Sequence, residues 1–297
     1  MPQSEFVFQY LVSGLIYGSI YAVVAIGFNI IYNATGIINF AQGEFAMLGG
    51  MIASSLSSRL PLAFAIAAAV ALTALSGAAL ERVFLRKVAR GGVMKMIITT
   101  IGLSIIVREA ALFLWGESVR TLPFFTGNEV SSVSFLGANF SPQVFWVAAA
   151  TMLVVAGLTA FFRFTLMGKA MRGCSASRDG ASLCGIDPDR MVTIAFTLSA
   201  AIGAIAGCVV APLTQTHYAI GSGLAIKGFT VAAFGGLGNS IAAVVAGLFL
   251  GMLESFSIIL VPEAYKDVVS ICVLLLVLFV KPSGLFGSRA AGALKEF

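Results

Sequence analysis

The chain has 297 residues, of which 59% are apolar and only 10% are charged, and its mean hydropathy is +1.00. A soluble domain carries about 25% charged residues, so 13 acidic and 18 basic side chains exclude a soluble enzyme and a disordered or fibrous protein. Because a membrane span takes about 20 residues plus its loop, we predict an all-α, polytopic helical membrane protein with about eight transmembrane helices and short broken or re-entrant segments.

The first predicted span ends near Tyr32 and leads into a polar, glycine-containing stretch. Residues 6–43 carry no charge, which is too long for one span and too short for two with a normal loop. Backbone that breaks at membrane depth must be buried in protein or line a cavity. We therefore predict that the polar residues of this stretch, Asn39, Gln42 and Glu44, are buried in protein or line a cavity together with Gly43. For Glu44, a structural ion pair is an equally good interpretation.

Further apolar runs follow in chain order. The predicted spans are a short run at 45–58 and fuller ones at 60–80, 96–115, 143–162, 191–214, 240–261 and 264–280. A polar connector, 116–142, has the turn formers of an aqueous loop. A second broken crossing is predicted at 221–238, with Gly235 and Gly236 near its end and Asn239 directly after it.

The two irregular regions, 33–50 and 221–238, each follow a long span and contain a glycine doublet. On the predicted topology, the span before the first region runs inward and the span before the second runs outward. This arrangement is typical of an inverted repeat whose broken helices meet at a central pathway. An inverted repeat is therefore possible here, although the two halves share little direct sequence similarity.

The basic residues indicate the orientation of the chain. The segments 82–95, 163–190 and 281–297 hold thirteen Lys and Arg residues, whereas the loops predicted on the other side hold only Arg59, Arg120 and Lys266. Cytoplasmic loops carry the excess of Lys and Arg. We therefore predict a cytoplasmic C-terminus and, if 45–58 crosses the membrane, an N-terminus on the outer side of the membrane. The first apolar run is not predicted to be a cleaved signal.

The long basic loop, 163–190, has the pattern of a short helix lying along the cytoplasmic face. Gly185 is a plausible C-cap and Pro188 a plausible stop. Small residues beside charged ones (Ala170, Ser177 and Ala181 beside Arg172, Arg178 and Asp179) favour docking into the groove of a partner over an ordinary solvated loop.

Enzymatic motifs are mostly absent from the sequence. There is one histidine, His217, and no GxxxxGK[ST] phosphate-binding loop. The four cysteines have no metal-ligand spacing, so we expect no metal site and inert thiols. Nucleic-acid binding is not expected, because the bases flank apolar runs. Glycine pairs four residues apart suit close helix packing in lipid: Gly14/Gly18, Gly203/Gly207 and Gly247/Gly251.

Charged residues within apolar runs are costly to bury and are therefore informative. Arg108 and Glu109 are adjacent and point about 100° apart on a helix, so neither is an ideal partner for the other, and a structural ion pair to a neighbouring helix is favoured. Lys227 and Glu254 lie near the second irregular region. Together these residues form either a polar gate or a set of helix-joining pairs.

Three blocks resemble one known family. The segment 14–50 (GLIYGSIYAVVAIGFNIIYNATGIINFAQGEFAMLGG) resembles the N-terminal signature of branched-chain amino acid ABC transporter permeases, in particular the smaller of their two permease subunits. Residues 168–172 (GKAMR) with 181–187 (ASLCGID) resemble the family's cytoplasmic coupling segment. Residues 228–240 (GFTVAAFGGLGNS) resemble its glycine-rich C-terminal block, and the likeness extends to the KPSGLFG ending at 281–287.

The resemblance implies a multi-pass permease of the bacterial inner membrane, with residues 1–297 forming a single transmembrane domain. It implies a second permease, two cytoplasmic ATPases that bind the ATP, and a periplasmic substrate-binding protein, and it implies no cofactor in this chain itself. It also makes 163–190 the ATPase-coupling segment, with six candidate residues: Gly168, Ala170, Arg172, Ser177, Ala181 and Gly185. It likewise makes seven residues candidates for lining the translocation pathway: Asn39, Gln42, Gly43, Glu44, Gly235, Gly236 and Asn239.

Other functions remain open from the sequence. Related permeases also carry urea and short amides, and a stand-alone secondary carrier or channel for small neutral solutes is the main alternative. The absence of alternating acids and histidines disfavours a proton relay, and the long cytoplasmic loop disfavours a stand-alone carrier. The presence of one histidine and the absence of paired acids disfavour an intramembrane enzyme.

Overall fold

A computed structural model describes residues 3–88, 92–127, 131–135, 138–259, 262, 265–281 and 284. This part of the chain is mostly helical, and six of its helices are long and apolar enough to cross a membrane. The prediction of a polytopic helical membrane protein is confirmed, whereas the number of eight spans is not established. Most of the basic tail, 281–297, lies outside the described residues.

The helices before the connector are α1 (Gln3–Thr35), α2 (Gln42–Leu56), α3 (Leu62–Leu80), α4 (Arg86–Val88) and α5 (Val93–Trp115), with a π-helical turn, Glu81–Leu85, joining α3 to α4. The connector contains an antiparallel hairpin of β1 (Val133–Phe135) and β2 (Ala138–Phe140). The remaining helices are α6 (Gln143–Phe164), α7 (Leu166–Ala176), α8 (Arg178–Leu183), α9 (Pro188–Thr214), α10 (Ile220–Gly235), α11 (Ser240–Ser257) and α12 (Lys266–Val280).

Two helices, α1 and α9, form the centre of the bundle. About 70% of the most apolar stretch of each is buried (67% and 72%), compared with 22% for α3, α5 and α6. An apolar helix without a polar face is suited to burial or to lipid contact. The sequence cannot distinguish these environments, but the structure places α1 and α9 inside, while α3, α5 and α6 present large apolar side chains at the periphery.

The packing of the two halves follows one pattern. Helix α2 packs against α9 and α10 packs against α1, while α3 packs against α9 and α11 packs against α1. Helices α1 and α9 run antiparallel, because Ile20 and Val210 line one cavity whereas Ile31 lies in one cluster with Val192. Each half of the chain thus packs its shorter helices against the central helix of the other half, and the two central helices are antiparallel. This is the arrangement expected of an inverted repeat.

The predicted irregular regions are shorter in the structure than the sequence indicated. In the first, only 36–41 is irregular and α2 begins at Gln42; in the second, α10 is helical through Gly235. The prediction of irregular backbone at 221–235 is therefore wrong. Gly221 packs against Glu44, and Gly228 packs against Val24. These glycines permit close helix contacts, so their abundance did not indicate a break.

The glycine pairs pack as predicted. A Cβ on Gly14 would lie 2.7 Å from Met252 Cα, and a Cβ on Gly18 would lie 2.6 Å from the carbonyl oxygen of Gly247. Gly207 touches the backbone of Ala46 in the same way. Small residues let helix backbones approach closely where lipid provides no hydrophobic driving force. Close contact of α1 with α11 and of α2 with α9 therefore depends on these positions.

We expect Gly251→Val to destabilise the chain by about 2–3 kcal/mol, near the upper end of the range for overpacking a well-filled site. The new side chain would collide with the backbone of Gly14 and Gly18. Unfolding of the detergent-solubilised protein by heat measures the loss. Gly157→Val on α6 is the matched control, because a Cβ at Gly157 meets open space. Equal stability of the two variants would contradict the assigned contact.

Candidate functional site

The first group of predicted pathway residues is buried around the start of α2. Gln42 is fully buried; its Nε2 donates to the carbonyl oxygen of Ser199 (3.3 Å), and its Oε1 lies 2.6 Å from the Ser199 hydroxyl. That hydroxyl also lies 2.8 Å from the carbonyl oxygen of Gly27. The buried Gln42 amide is hydrogen-bonded to Ser199 of α9, and Ser199 is in turn bonded to Gly27 of α1. This network fixes the point where the chain re-enters the bundle. Gln42 thus joins three helices.

The neighbouring residues bring α2 against α5 and α10. Glu44 is fully buried and accepts a 3.0 Å hydrogen bond from the Ser104 hydroxyl, while its Oε2 has no hydrogen-bond partner among the described residues. Gly43 lies against the carbonyl oxygen of Gly221. The Asn39 side chain accepts from the backbone N–H of Ala41 at 3.1 Å. The starts of α2 and α10 therefore meet inside the bundle.

The second group forms the turn between α10 and α11. Gly236 and Gly238 have positive φ angles of 98° and 94°, which only glycine adopts readily. The Asn239 side chain accepts from the N–H of Ala242 (3.1 Å) and caps α11. Gly235 packs against the backbone of Ala242.

Two asparagines of α1 that the sequence analysis did not single out hold this turn. Asn29 accepts from the N–H of Gly238 (3.0 Å) and donates to the carbonyl oxygen of Asn239 (3.2 Å); Asn33 donates to the carbonyl oxygen of Gly238 (2.9 Å). Their spacing of four residues places them on one face of α1. The second predicted group thus bonds directly to α1 at Asn29 and Asn33, whereas the first is linked to Gly27 of α1 through the Ser199 hydroxyl.

We expect Asn29→Ala to cost about 1–3 kcal/mol of unfolding free energy, because two partly buried hydrogen bonds to the backbone of Gly238 and Asn239 would be lost. Asn33→Ala removes one bond from the same turn and is expected to cost about half as much. Heat-induced unfolding of the two purified variants provides the comparison. A smaller loss for Asn29→Ala than for Asn33→Ala would show that Asn29 does not hold the turn.

The apolar interior also contains an ionic cluster. The Lys227 ammonium lies 2.6 Å from Glu254 Oε1, 2.8 Å from Asp267 Oδ1 and 3.1 Å from the Tyr21 hydroxyl. The sequence placed Lys227 and Glu254 in one region, and the structure shows that they pair. Arg108 and Glu109 also pair with each other, at 3.5 Å and with partly exposed side chains, contrary to the expectation from their adjacency.

The predicted coupling loop forms two short helices, each started by a hydroxyl cap. Thr165 accepts from the N–H of Gly168 and Ser177 accepts from the N–H of Gly180, both at 3.0 Å. Gly185 has φ +79°, and the N–H of Ile186 donates to the carbonyl oxygen of Ala181. This is the Schellman ending that the sequence predicted at Gly185.

Pro188 begins a helix rather than stopping one, so this part of the prediction is wrong. It occupies the first turn of α9, where proline needs no N–H partner. Asp187 caps that turn by accepting from the N–H groups of Asp189 and Arg190. The segment therefore leads directly into a central helix of the bundle.

Several nominated coupling residues face their own chain. Gly168 packs on the backbone of Phe161, and Ala181 is only 6% exposed. Arg172 donates to the carbonyl oxygen of Phe162 at 2.6 Å, so it braces α7 against the end of α6. Ser177 serves as the cap described above, and Ala170 is half-buried. A docking role for these residues stays a prediction.

The most exposed large apolar side chain described in the predicted coupling segment is one that the sequence analysis did not select. Leu183, the last residue of α8, is 89% exposed. Buried Met171 and Cys174 hold the segment on the bundle, and burial raises the pKa of the Cys174 thiol, consistent with an inert role. An apolar side chain exposed beside polar ones is a signal that only the folded arrangement reveals.

Comparisons with known proteins agree with this architecture. The family model for the permease component of branched-chain amino acid transport systems matches residues 10–278. The high-affinity branched-chain amino acid transport permease BraD of Pseudomonas aeruginosa is 33% identical, with 97% of this chain and 98% of BraD covered. The corresponding LivH permease of Salmonella typhimurium is 35% identical, with 94% and 95% covered.

A solved structure supports the fold alone. The complex of PsaBC from Streptococcus pneumoniae with a Fab contains a chain that matches with a TM-score of 0.50 and 12% identity, covering 94% of this chain and 92% of that one. The relatives identified by sequence are transport permeases and not enzymes. This chain belongs to the branched-chain amino acid transport permease family.

Proposed function

We propose that the chain is the permease subunit of an ATP-driven importer for branched-chain or related amino acids, and that residues 1–297 act as one transmembrane domain. It would form the translocation pathway with a second permease in a bacterial inner membrane. Two cytoplasmic ATPases would bind the ATP, and a periplasmic protein would deliver the substrate. The family membership and the near-complete coverage of two branched-chain amino acid permeases support this proposal.

The coupling segment is the observation that carries the proposal. Its two capped helices lie between α6 and the central helix α9, and they are packed on the bundle through Met171 and Cys174. Asp189, in the first turn of α9, lies 3.5 Å from Arg178 of α8 and 3.8 Å from Arg86 of α4. A force applied to α8 would thus reach α9 directly. A stand-alone carrier has no need for such an attachment.

The pathway assignment remains part of the proposal. The seven candidates lie where short helices begin or end, and all of them contact or bond their own chain: Asn39, Gln42, Gly43, Glu44, Gly235, Gly236 and Asn239. A transporter that alternates its access must change such contacts between states. We propose that these turns are where α2, α10 and α11 move when the pathway opens.

The orientation follows from the distribution of charge. The ends of α4 and α6 carry the basic residues Arg86 and Arg163, and the coupling segment lies at the same end of α1, near Asn33. The positive-inside rule favours a cytoplasmic location for this end. The N-terminus would then be periplasmic and the C-terminus cytoplasmic.

Reconstitution tests the proposed function. The chain is purified with its partner permease and ATPases, placed in liposomes, and supplied with the binding protein and labelled leucine, isoleucine or valine. We expect uptake only with both ATP and the binding protein. Uptake by this chain alone, driven by a sodium or proton gradient, would instead establish a secondary carrier.

A further inference from the structure

A cavity of about 280 Å³ lies between α1, α9, α10 and α12. Its volume is close to the lower end of the roughly 300–1,000 Å³ range of small-molecule sites. It lies beside Tyr17 and Tyr21, about fourteen residues or 20 Å along α1 from Asn33. The cavity is therefore remote from the coupling segment and from the turn that follows α10.

The wall of this cavity combines aliphatic side chains with charges of both signs. The apolar part is formed by Ile20, Val210, Ile220 and Leu224, together with a threonine and two small residues. The charged part contains Lys227, Lys266 and Asp267. The cavity therefore offers charges of both signs next to an apolar wall.

The charged residues have different roles. Lys227 is saturated by Glu254, Asp267 and the Tyr21 hydroxyl, so it holds the cluster together. The Lys266 ammonium lies 4.1 Å above the Tyr17 ring, a contact that leaves its N–H donors available to an anion. The Asp267 side chain is 73% exposed, so its carboxylate can accept further hydrogen bonds.

We propose that this cavity is a binding site for an aliphatic α-amino acid within the permease, with Lys266 binding the carboxylate and Asp267 binding the ammonium group. The two charged groups of an α-amino acid are carried by one carbon, so their partners must be neighbours, as consecutive residues in the first turn of α12 are. The proposal rests on the proposed function and adds to it a substrate contact in this chain.

The aliphatic wall suits the substrate's side chain. Ile20, Val210 and Leu224 present only hydrocarbon, and burying a branched side chain against them removes apolar surface from water. A polar side chain of similar size would lose its hydration without gaining a partner. The site should therefore prefer leucine, isoleucine or valine over asparagine or serine.

Equilibrium binding of labelled leucine to the purified complex, without the binding protein, tests this site. We expect saturable binding that is at least tenfold weaker for leucinamide, which lacks the carboxylate, and for isocaproate, which lacks the amine. Lys266→Met should weaken leucine at least tenfold and leave leucinamide unchanged. Asp267→Asn should weaken leucine equally and leave isocaproate unchanged, and Leu224→Trp should abolish binding of all three.

The controls are Lys95→Met and Glu109→Gln, two charge removals on α5 outside the cavity, which should leave leucine binding unchanged. A purely structural role for Lys266 or Asp267 would weaken all three ligands together and would overturn the proposal. ATP-driven uptake of leucine with the binding protein is measured in parallel. If uptake occurs and binding to the cavity does not, the cavity proposal fails alone; if the wild-type complex imports none of the three amino acids, both proposals fail.

Discussion

Replacement of Lys227 by methionine is expected to lower the free energy of unfolding by about 3–5 kcal/mol, the usual cost of removing one partner from a buried ion pair. Glu254 is fully buried, its Oε1 lies 2.6 Å from the Lys227 ammonium, and its Oε2 has no hydrogen-bond partner among the described residues. Without the lysine, Glu254 would remain as an uncompensated charge inside the bundle. Asp267 is mostly exposed, so the loss of its ion pair with Lys227 would cost far less free energy.

The measurement is heat-induced unfolding of the purified variant in detergent. Arg108→Met is the matched control, because the Arg108–Glu109 pair is partly exposed and should contribute about 1 kcal/mol or less. The double variant Lys227→Met with Glu254→Gln should recover most of the lost stability, since no buried charge would then lack a partner. If Lys227→Met costs no more than Arg108→Met, the cluster does not stabilise the fold.

This cluster also shows which parts of the structure the sequence could predict. Apolar length indicated the membrane fold, and glycine spacing indicated close helix packing at Gly14 and Gly18, because both patterns are local; that the partner is α11 is known only from the structure. Pairing of Lys227 with Glu254 is not local. It depends on α10, α11 and α12 meeting at one level, which no spacing along the chain encodes.

The errors in the prediction have a related cause. Glycines at 221 and 228 resemble a broken helix in the sequence, but in the fold they face Glu44 and Val24 across a helix contact. Likewise, Pro188 follows a C-cap and was predicted to stop a helix, whereas it begins the next one. A glycine or proline in the sequence indicates only a local backbone constraint. The tertiary contacts decide whether that residue breaks a helix, begins one or lies in a close helix contact.

The coupling segment illustrates the same limit at the proposed functional site. The sequence predicted a short helix that ends at Gly185, because caps are local, whereas the structure divides the segment into α7 and α8. It could not show which face of the helices is free. Ala181 is buried against the bundle and Leu183 is exposed, although only Ser182 lies between them.

We expect Leu183→Asp to reduce ATP-driven amino acid uptake at least tenfold while the protein remains folded. Because Leu183 is 89% exposed, its replacement should change the unfolding free energy by about 0.5 kcal/mol or less. Apolar anchors that fill a partner's pocket contribute a large share of binding energy. A charge at this position would have to be desolvated against the ATPase, so coupling should be lost although ATP hydrolysis by the free ATPases continues.

The test compares uptake, ATP hydrolysis and co-purification of the ATPases for three variants of the reconstituted complex. Leu183→Met keeps an apolar side chain and should retain uptake. Leu166→Asp places the same charge at another exposed leucine, at the start of α7, and should retain the ATPases. Loss of ATPase binding at Leu183 alone would assign the contact to the end of α8. Full uptake by Leu183→Asp would instead show that the ATPases contact another part of the segment and that Leu183 does not take part in coupling.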